Sequence, residues 1–456
     1  MTERLVVIGG DAAGMTAASR ARRRRDRDEL EIVALERGPY TSYSACGIPY
    51  FISDLITELD QFIARTPEEH RRNGIDVRTG HEVVAIDVNR RQVRVRELAG
   101  GDGSGTEYDE PFDQLVVATG AVPTRPDLPG AEAEGIFGVQ TLADGVAVRR
   151  AIDEREPHRA VVVGGGYIGL EMAEALVQRG LEVALVDRTD EPMAAALDHD
   201  VGALVADALR ASGVELHMGE SVESFDADGG GVRAVRTANR TVSADIVVLG
   251  LGVTPNSRLA REAGIAIGET HGIVTDTRME TSIGGVWAAG DCVESIDRIT
   301  GRSVAAPLGT HANKQGRVIG INATGGDARF AGVLGTAAAK ICAYEVARTG
   351  VTEHQAREAG LDVVAATIES TSRASYFPGA ASITVKVVAE PGTGRIVGGQ
   401  IVGEEGAAKR IDVLATAIWN RMPVAEVADL DLSYAPPFAP VWEPLLIAAR
   451  KAADLL

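Results

Sequence analysis

Residues 159–188 read RAVVVGGGYIGLEMAEALVQRGLEVALVDR, and this stretch decides the fold class. A short β-branched run leads into a glycine cluster, an apolar helical stretch, a second apolar run and an acid, Asp187. Gly164, Gly166 and Gly169 form the G-x-G-x-x-G pattern of a β-α-β dinucleotide-binding unit. Glycines permit the tight turn and a close approach of the backbone to a pyrophosphate, which the helix N-terminus attracts. The acid would accept hydrogen bonds from a ribose diol.

A second β-α-β pattern of this kind occurs earlier in the chain, in residues 4–37, RLVVIGGDAAGMTAASRARRRRDRDELEIVALER. Gly9 and Gly14 hold the outer motif positions, Asp11 replaces the middle glycine, and Glu36 is the terminal acid. An aspartate beside a diphosphate is unfavourable, so we expect its side chain to turn away or to be offset by a cation. Two dinucleotide sites on one chain predict electron transfer between two bound cofactors.

Three later strand-like runs also end in turns, at residues 114–126, 245–260 and 284–295. In open α/β sheets, ligands bind at the carboxyl edge of the strands. The Ala-Thr-Gly turn with Thr119 and Gly120, and the Gly-Asp turn with Gly290 and Asp291, are therefore candidate ligand contacts. Asp291 is placed to bind ribityl or phosphate-side hydroxyls of a flavin.

The composition excludes several functional classes. The chain has 456 residues, enough for two or three domains, and a formal net charge of −19 argues against general nucleic-acid or anionic-membrane binding. Its three cysteines form no disulfide framework, which favours a reducing cytoplasm. No uninterrupted apolar run reaches the length of a bilayer span. We expect a cytoplasmic protein with no membrane or nucleic-acid partner, and we predict no metal site.

Residues 41–49, TSYSACGIP, place one thiol in a polar, turn-forming setting. Hydroxyl residues surround Cys46, and a Gly-x-Pro turn follows it, so we interpret Cys46 as an exposed, reactive cysteine. A buried, inert cysteine is the alternative interpretation. We interpret Cys292 and Cys342 as small core residues.

Together, these motifs resemble the pyridine nucleotide-disulfide oxidoreductases, the flavoproteins with two dinucleotide-binding domains. The resemblance covers essentially the whole chain and implies FAD in the first unit, NAD(P)H in the second, and a C-terminal dimerisation domain. The residues that the family's motifs assign to FAD are Gly9, Gly14, Glu36, Arg37, Thr119, Gly120, Gly290 and Asp291. Those assigned to NAD(P)H are Gly164, Gly166, Tyr167, Gly169, Glu171 and Asp187, of which Tyr167 matches a residue that can lie over the flavin.

The resemblance also implies a subgroup. The chain has a single cysteine in the pattern Ser42-x-x-x-Cys46, which is similar to coenzyme A-disulfide reductases, persulfide reductases and some NADH oxidases. The segments SRASYFPG (372–379) and LSYAPPFAPVWEPLL (432–446) resemble subgroup segments and imply catalytic roles for Tyr376 and Tyr434, in which Tyr434 reaches the site of a partner subunit. Trp442 departs from the subgroup pattern, which puts coenzyme A itself in doubt.

The predicted fold class is α/β, with two Rossmann-like dinucleotide-binding domains and a C-terminal α+β dimerisation domain. We predict a discontinuous FAD domain, residues 1–120 and 280–325, and an inserted NAD(P)H domain, residues 121–279. The dimerisation domain is predicted to cover residues 326–456, with antiparallel strands in ASITVKVVAE and GRIVGGQIVGEEG.

The predicted function is FAD-dependent reduction of a small-molecule disulfide or persulfide by NAD(P)H, through Cys46, in a homodimer. The alternatives are an NADH oxidase that uses a cysteine sulfenic acid, a redox sensor, and a flavin reductase for a separate carrier. The thiolate is the reactive form, so we expect a lowered pKa for Cys46, aided by a helix N-terminus, the flavin, or the hydroxyls of Ser42 and Ser44. Tyr376 and Tyr434 are candidate general acids for the leaving thiolate.

Two ligand preferences are also predicted. Asp187 favours NADH because it would repel a 2′-phosphate, although the adjacent Arg188 leaves NADPH possible. The arginine-rich segment 19–30 contains Arg20 and Arg22, candidates for binding a substrate phosphate such as that of coenzyme A, with Arg65 as a third. A solvated helix end is the alternative interpretation of that segment.

Overall fold

The computed structural model describes residues 2–98 and 105–456, and it forms three large sheets with helices around them. Its strands are β1 (Glu3–Ile8), β2 (Leu30–Glu36), β3 (Asp76–Thr79), β4 (His81–Asp87), β5 (Gln92–Glu97), β6 (Glu107–Pro111), β7 (Gln114–Val117), β8 (Ala121–Pro123), β9 (Ile136–Gly138), β10 (Arg159–Val163), β11 (Glu182–Asp187), β12 (Glu215–Met218), β13 (Val222–Asp228), β14 (Gly231–Thr237), β15 (Thr241–Ser243), β16 (Ile246–Leu249), β17 (Val253–Pro255), β18 (Val286–Ala288), β19 (Glu294–Ile296), β20 (Ser303–Ala305), β21 (Ala337–Ile341), β22 (Tyr344–Gly350), β23 (Val364–Thr371), β24 (Ser382–Ala389) and β25 (Ile396–Gly403).

The helices connect these strands. They are α1 (Ala12–Arg22), α2 (Ile48–Ile52), α3 (Pro67–Arg72), α4 (Leu142–Arg155), α5 (Tyr167–Gln178), α6 (His199–Ala211), α7 (Arg258–Glu262), α8 (Gly309–Asn322), α9 (Glu353–Glu358), α10 (Ala407–Trp419), α11 (Val424–Ala428) and α12 (Pro444–Ala453), with 3₁₀ turns at Ala45–Gly47 and Leu59–Phe62.

The first sheet is parallel, with the strand order β18-β7-β1-β2-β3. Strand β18 joins this sheet although it follows the second sheet in the sequence. Helix α1 packs closely on α8, because Cβ atoms at Gly316 and Gly320 would lie 2.3 Å and 2.5 Å from the backbone oxygens of Ala13 and Ala17. These glycines bring α8 against the start of α1, where the first glycine turn lies.

The second sheet is also parallel, with the order β12-β11-β10-β16-β9. Its central strand β10 is buried from Ala160 to Val163, as expected for a strand covered by helices on both faces. Small antiparallel sheets, β4-β5-β6 and β13-β14-β15, accompany the two parallel ones. Strands β8 and β17 pair with each other in an antiparallel ladder, which joins the two chain segments that run between the parallel sheets.

The third sheet is antiparallel, with the order β21-β22-β25-β24-β23. Every residue of β25 is buried, because β25 is a central strand between β22 and β24. Helices α10 and α12 pack against this sheet. The predicted α/β class and the antiparallel C-terminal strands are confirmed, while the domain limits at 120, 279 and 325 stay a prediction. None of the described helices is long and apolar enough to cross a membrane.

Candidate functional site

The second glycine turn is shaped both by packing and by room for a ligand. Gly164 has φ +107°, and a Cβ there would lie 2.4 Å from the backbone oxygen of Gly250. A Cβ at Gly169 would lie 1.9 Å from the backbone oxygen of Gly164. A Cβ at Gly166 would meet nothing within 4 Å, so the protein itself does not require glycine there. The open space at the N-terminus of α5 fits the pyrophosphate of a dinucleotide.

The acid of this unit stands beside the turn. Asp187, at the end of β11, accepts hydrogen bonds from the backbone N–H of Gly165 at 2.5 Å and of Thr189 at 2.7 Å. These bonds hold its carboxylate next to the glycine turn, where a ribose diol would approach. The Tyr167 hydroxyl at the start of α5 is buried without a hydrogen-bond partner among the described residues, and burial raises its pKa to about 12.

The first glycine turn repeats the same packing. A Cβ at Gly9, which has φ +109°, would lie 2.1 Å from the backbone oxygen of Ala118, and one at Gly14 would lie 2.1 Å from that of Gly9. The Glu36 carboxylate accepts from the backbone N–H groups of Gly10 and Gly38, each at 2.7 Å. This turn therefore has the strand, the turn, the helix and the acid that an FAD site needs.

Asp11 turns its carboxylate toward a neighbouring segment. Its Oδ1 accepts a hydrogen bond from the backbone N–H of Tyr43 at 3.1 Å. Burial first, and then the charges of Glu36 and Asp291, raise the pKa of Asp11 to about 6. The side chain thus turns toward the segment that carries Cys46, which is one of the two arrangements expected from the sequence.

The remaining residues predicted for FAD lie at the carboxyl edge of the first sheet. Gly290 has φ +87° and donates its N–H to Gln315 of α8 at 2.8 Å, and burial raises the pKa of Asp291 to about 6. The Thr119 hydroxyl donates to the backbone oxygen of Asn256 at 2.6 Å, so in this structure it joins the connections between the two sheets.

Two further residues predicted for FAD follow strands of the same sheet, Gly120 after β7 and Arg37 directly after β2. Gly120 has φ +66° and accepts the N–H of Asn256 at 2.9 Å. Arg37 is exposed and lines a cavity of about 250 Å³ together with Arg125 and Gln140.

Cys46 is exposed and lies in the 3₁₀ turn Ala45–Gly47, directly before α2. Helix α2 packs on α4 and α5 of the second unit, where Phe51 and Ile52 are buried. Asp54, just beyond α2, pairs with Arg149 at 2.7 Å and Arg179 at 3.2 Å. The thiol therefore lies where the two dinucleotide-binding units meet.

The polypeptide around Cys46 does not by itself lower the thiol pKa, contrary to the contributions expected from the helix start and the neighbouring hydroxyls. Although Cys46 is accessible to solvent, surrounding protein atoms partly desolvate its sulfur, and this desolvation first, then the charges of Glu171, Asp291 and Asp11, raise the thiol pKa. Burial, with Glu174 nearby, raises the pKa of Glu171 itself to about 7. Acids from both units thus face the thiol, and the polypeptide alone favours its protonated form.

The hydroxyl of Ser42 does not serve Cys46 in this structure. Ser42 has a left-handed backbone, φ +48°, and its Oγ lies 3.0 Å from Nε2 of His70 on α3. His70 is buried, and burial, followed by the charge of Arg65, lowers its pKa to about 4. Sequence reasoning missed His70, since only the Thr66 capping box that begins α3 is visible in the sequence, not the contact 28 residues away.

The two predicted tyrosine segments come together on the surface of the C-terminal region. The N–H of Ala374 donates to the backbone oxygen of Pro436 at 3.2 Å. Tyr376 is 75% exposed and Tyr434 is 49% exposed. Partial desolvation first, and then the neighbouring Tyr376, raise the pKa of Tyr434. Trp442 is also exposed, with the Arg450 guanidinium 4.2 Å above its ring.

The arginines predicted to bind a substrate phosphate have different surroundings. Arg22 donates to the backbone oxygens of Gly74, Arg25 and Leu30, so it holds the chain between α1 and β2, and we leave it out of the site. The Nε of Arg20 is buried without a partner among the described residues. Arg65 is exposed.

The other two cysteines are not placed like Cys46. Cys292 is fully buried, as expected, and its Sγ contacts the backbone oxygen of Ala289 at 3.3 Å. Cys342 is half-buried rather than in the core, and lies in the turn between β21 and β22 with φ +53°. Its N–H donates to Glu174 of α5 at 2.9 Å.

Comparison with known proteins agrees with this geometry. A family model described as pyridine nucleotide-disulphide oxidoreductase matches residues 3–316, and the model of the corresponding dimerisation domain matches residues 336–445. An NADH oxidase of Methanocaldococcus jannaschii is 37% identical over 450 residues, 98% of this chain and 98% of that protein.

Two sulfur reductases are equally similar. An NAD(P)H coenzyme A polysulfide/persulfide reductase of Pyrococcus horikoshii is 37% identical over 451 residues, 99% of this chain and 98% of that protein. The structure of an NAD-dependent persulfide reductase from A. fulgidus superimposes with a TM-score of 0.94 at 39% identity, covering 99% of this chain and 83% of that one.

Proposed function

The chain belongs to the pyridine nucleotide-disulphide oxidoreductase family, which uses FAD and NAD(P)H, and we propose that it reduces a small-molecule disulfide or persulfide through Cys46. One observation carries this proposal: a single exposed thiol lies where the two dinucleotide-binding units meet. The persulfide reductases among its relatives support the choice of a sulfur substrate.

The proposed reaction balances as R–S–S–R + NADH + H⁺ → 2 RSH + NAD⁺. The Cys46 sulfur attacks the disulfide, forms a mixed disulfide with one half and releases the other half as a thiol. Bound FAD supplies the transfer of two electrons from the nicotinamide to sulfur. Cleavage of the mixed disulfide releases the second thiol and restores Cys46.

The residues around these ligands have separate tasks. Glu36 and Asp187 orient the two ribose diols, and Gly166 leaves space for the pyrophosphate of NAD(P)H. Glu171 is half-buried and faces Cys46 from the second unit, and its pKa of about 7 lets it exchange a proton at neutral pH.

We further propose a homodimer in which Tyr376 and Tyr434 approach the Cys46 of a second copy and protonate the leaving thiolate. The matched dimerisation domain supports this assembly. So does a group of exposed apolar side chains around the tyrosines, which a second copy would cover: Tyr376 75%, Phe438 77%, Val441 67% and Trp442 60% exposed. Coenzyme A as the thiol, Arg20 as its phosphate ligand, the preference for NADH and the cytoplasmic location stay predictions.

The test counts free thiol during anaerobic NADH oxidation with a panel of disulfides and persulfides. We expect two thiols per NADH from a disulfide, and a loss of at least about a hundredfold in Cys46→Ser. The matched control is Cys342→Ser, which changes a half-buried cysteine in a hairpin turn and should retain turnover. Full disulfide turnover in Cys46→Ser would refute the proposal.

The second candidate is an NADH oxidase in which Cys46 passes through a sulfenic acid. The exposed thiol and the NADH oxidase among the relatives favour it. It predicts rapid oxygen uptake with NADH, no release of thiol, and a Cys46 oxidation product that dimedone labels.

A further inference from the structure

Position 11 is where the two glycine turns differ. Asp11 has an extended backbone, φ −112° and ψ −155°, and the matching Gly166 has φ −82° and ψ −176°. Neither backbone needs glycine. Because a Cβ at Gly166 meets nothing within 4 Å, this point of the turn leaves room for a side chain. In the first unit the residue at the matching position carries a carboxylate, which accepts the N–H of Tyr43.

We propose that Asp11 is the positioning residue of the reactive thiol: its carboxylate holds the segment that carries Cys46 against the first glycine turn. The inference rests on the proposed function, since it concerns the same sulfur. It explains why an acid occupies a place beside a diphosphate that otherwise suits glycine.

The segment that carries Cys46 makes two hydrogen bonds to the first glycine turn. The N–H of Ser42 donates to the backbone oxygen of Gly10 at 3.0 Å, and the N–H of Tyr43 donates to Asp11 at 3.1 Å. On its other side, Ala64 donates to the oxygen of Ser42 at 2.8 Å. Loss of the Asp11 carboxylate would remove one of the two attachments to the turn and leave the Tyr43 N–H without its acceptor, only three residues from the thiol.

The charge of Asp11 has a second effect, which can be separated from its hydrogen bond. The carboxylates that face Cys46 are Glu171 from α5, Asp291 from the end of β18, and Asp11. The groups around Asp11 itself are Glu36, Asp291 and Tyr43. Asparagine at position 11 would keep an oxygen for the Tyr43 N–H and remove one negative charge, whereas glycine or alanine would remove both.

The experiment measures the rate at which iodoacetamide alkylates Cys46 in the FAD-loaded protein between pH 7 and 10.5. The midpoint of the pH profile reports the ionisation of the thiol. The plateau at high pH is the alkylation rate of the fully ionised thiolate, and it reports how accessible the sulfur is to the reagent. Both quantities are obtained without turnover. The long-wavelength absorption of a thiolate beside a flavin, measured after anaerobic reduction by NADH, gives an independent reading of the position of the sulfur.

We expect Asp11→Asn to lower the midpoint, so that alkylation at pH 7 accelerates at least about twofold, with an unchanged plateau and absorption band. Asp11→Gly and Asp11→Ala should also raise the plateau, by about threefold or more, and lose the band. If Asp11→Gly and Asp11→Ala give the same plateau and the same loss of the band, these changes result from removal of the carboxylate rather than from the flexibility of glycine. The matched control is Asp245→Asn. In the wild type, the Asp245 carboxylate accepts the N–H groups of His158 and Arg159 in the second unit, and the variant should have the alkylation profile and absorption band of the wild type.

A plateau and band in Asp11→Gly and Asp11→Ala equal to those of the wild type would overturn the inference. So would an Asp11→Asn protein that behaves like the two truncations, because the acceptor oxygen would then have no role. If disulfide turnover survived complete alkylation of Cys46, the proposed function would fail, and the alkylation profiles would still decide the role of Asp11.

Discussion

Lys386 joins the second dinucleotide unit to the C-terminal sheet, and its removal should destabilise the protein strongly. It lies on β24, 3% exposed, and its Nζ is 2.7 Å from Asp200, 2.7 Å from Glu353 and 3.2 Å from Asp198. Asp198 and Asp200 belong to the start of α6, and Glu353 begins α9. One ammonium thus balances three carboxylates from two regions of the chain.

Lys386→Met keeps most of the apolar stem and removes the charge. Asp198 is 9% exposed, so its carboxylate would remain buried without a cation, while Asp200 is 48% exposed and can turn to water. Breaking a buried ion pair on one side costs about 3–5 kcal/mol. Because only one of the three carboxylates is fully enclosed, we expect the lower end, about 3 kcal/mol of unfolding free energy.

The assay is urea unfolding followed by far-UV circular dichroism, with wild type and variants compared at pH 7. Lys409→Met is the matched control, since Lys409 is 90% exposed and 3.5 Å from Asp412, and such a surface pair is worth about 0.5 kcal/mol or less. Burial raises the pKa of Asp198, but a hydrogen bond from Gln400, a hydrogen bond from the Glu353 N–H and the Lys386 ammonium together outweigh burial. They hold the pKa of Asp198 below its usual range. The ion-pair contribution is therefore present above about pH 4 and is lost as the pH falls below it, so the difference between wild type and Lys386→Met should shrink there.

A loss of less than about 1 kcal/mol at pH 7, or a control as destabilised as Lys386→Met, would refute this reasoning. A difference that stays constant down to pH 3 would also contradict it. It would show that lost packing of the lysine stem, rather than the unpaired carboxylates, causes the destabilisation.

Three further predictions concern the cofactors and the thiol. Asp187→Ala should raise the KM for NADH about ten- to a hundredfold in steady-state assays, because each hydrogen bond to a charged group contributes about 1.5–3 kcal/mol. The same change should lower the KM for NADPH, because it removes the carboxylate that would repel the 2′-phosphate. FAD should bind more tightly as the pH falls from 8 to 6, because Asp11 and Asp291, with pKa values of about 6, lose about half of their negative charge near an anionic pyrophosphate. Flavin fluorescence after dialysis measures the Kd for FAD, and a pH-independent Kd would contradict this prediction. Cys46→Ser should still reduce ferricyanide with NADH at about the wild-type rate, and an equal loss of both activities would contradict a role confined to sulfur.

The two glycine turns were predictable because their physics is local. A parallel strand, a glycine with φ above +100° and a helix start follow one another within a dozen residues, and the spacing of Gly164 and Gly169 reports a contact made inside the turn itself. The antiparallel C-terminal strands were predictable for the same reason, since polar and apolar residues alternate at the start of β24, where burial alternates too, before its last five residues are all buried.

The surroundings of Cys46 could not be predicted in this way. The sequence marks the thiol as unusual, but the atoms that desolvate it, and then Glu171, Asp291 and Asp11 from three distant stretches, meet only in the folded chain, where they raise the thiol pKa. The partner of Ser42, His70, lies 28 residues away, and the predicted phosphate ligand Arg22 is occupied by backbone oxygens.

The amino-acid sequence by itself thus determined the fold class and located the two glycine turns and one exposed thiol, since short-range geometry and residue type suffice for each. Only the tertiary structure decided which charges face the sulfur and which backbone N–H the carboxylate of Asp11 contacts. Electrostatic effects depend on distance through space and on exclusion of water, and neither is written in the spacing of residues along the chain.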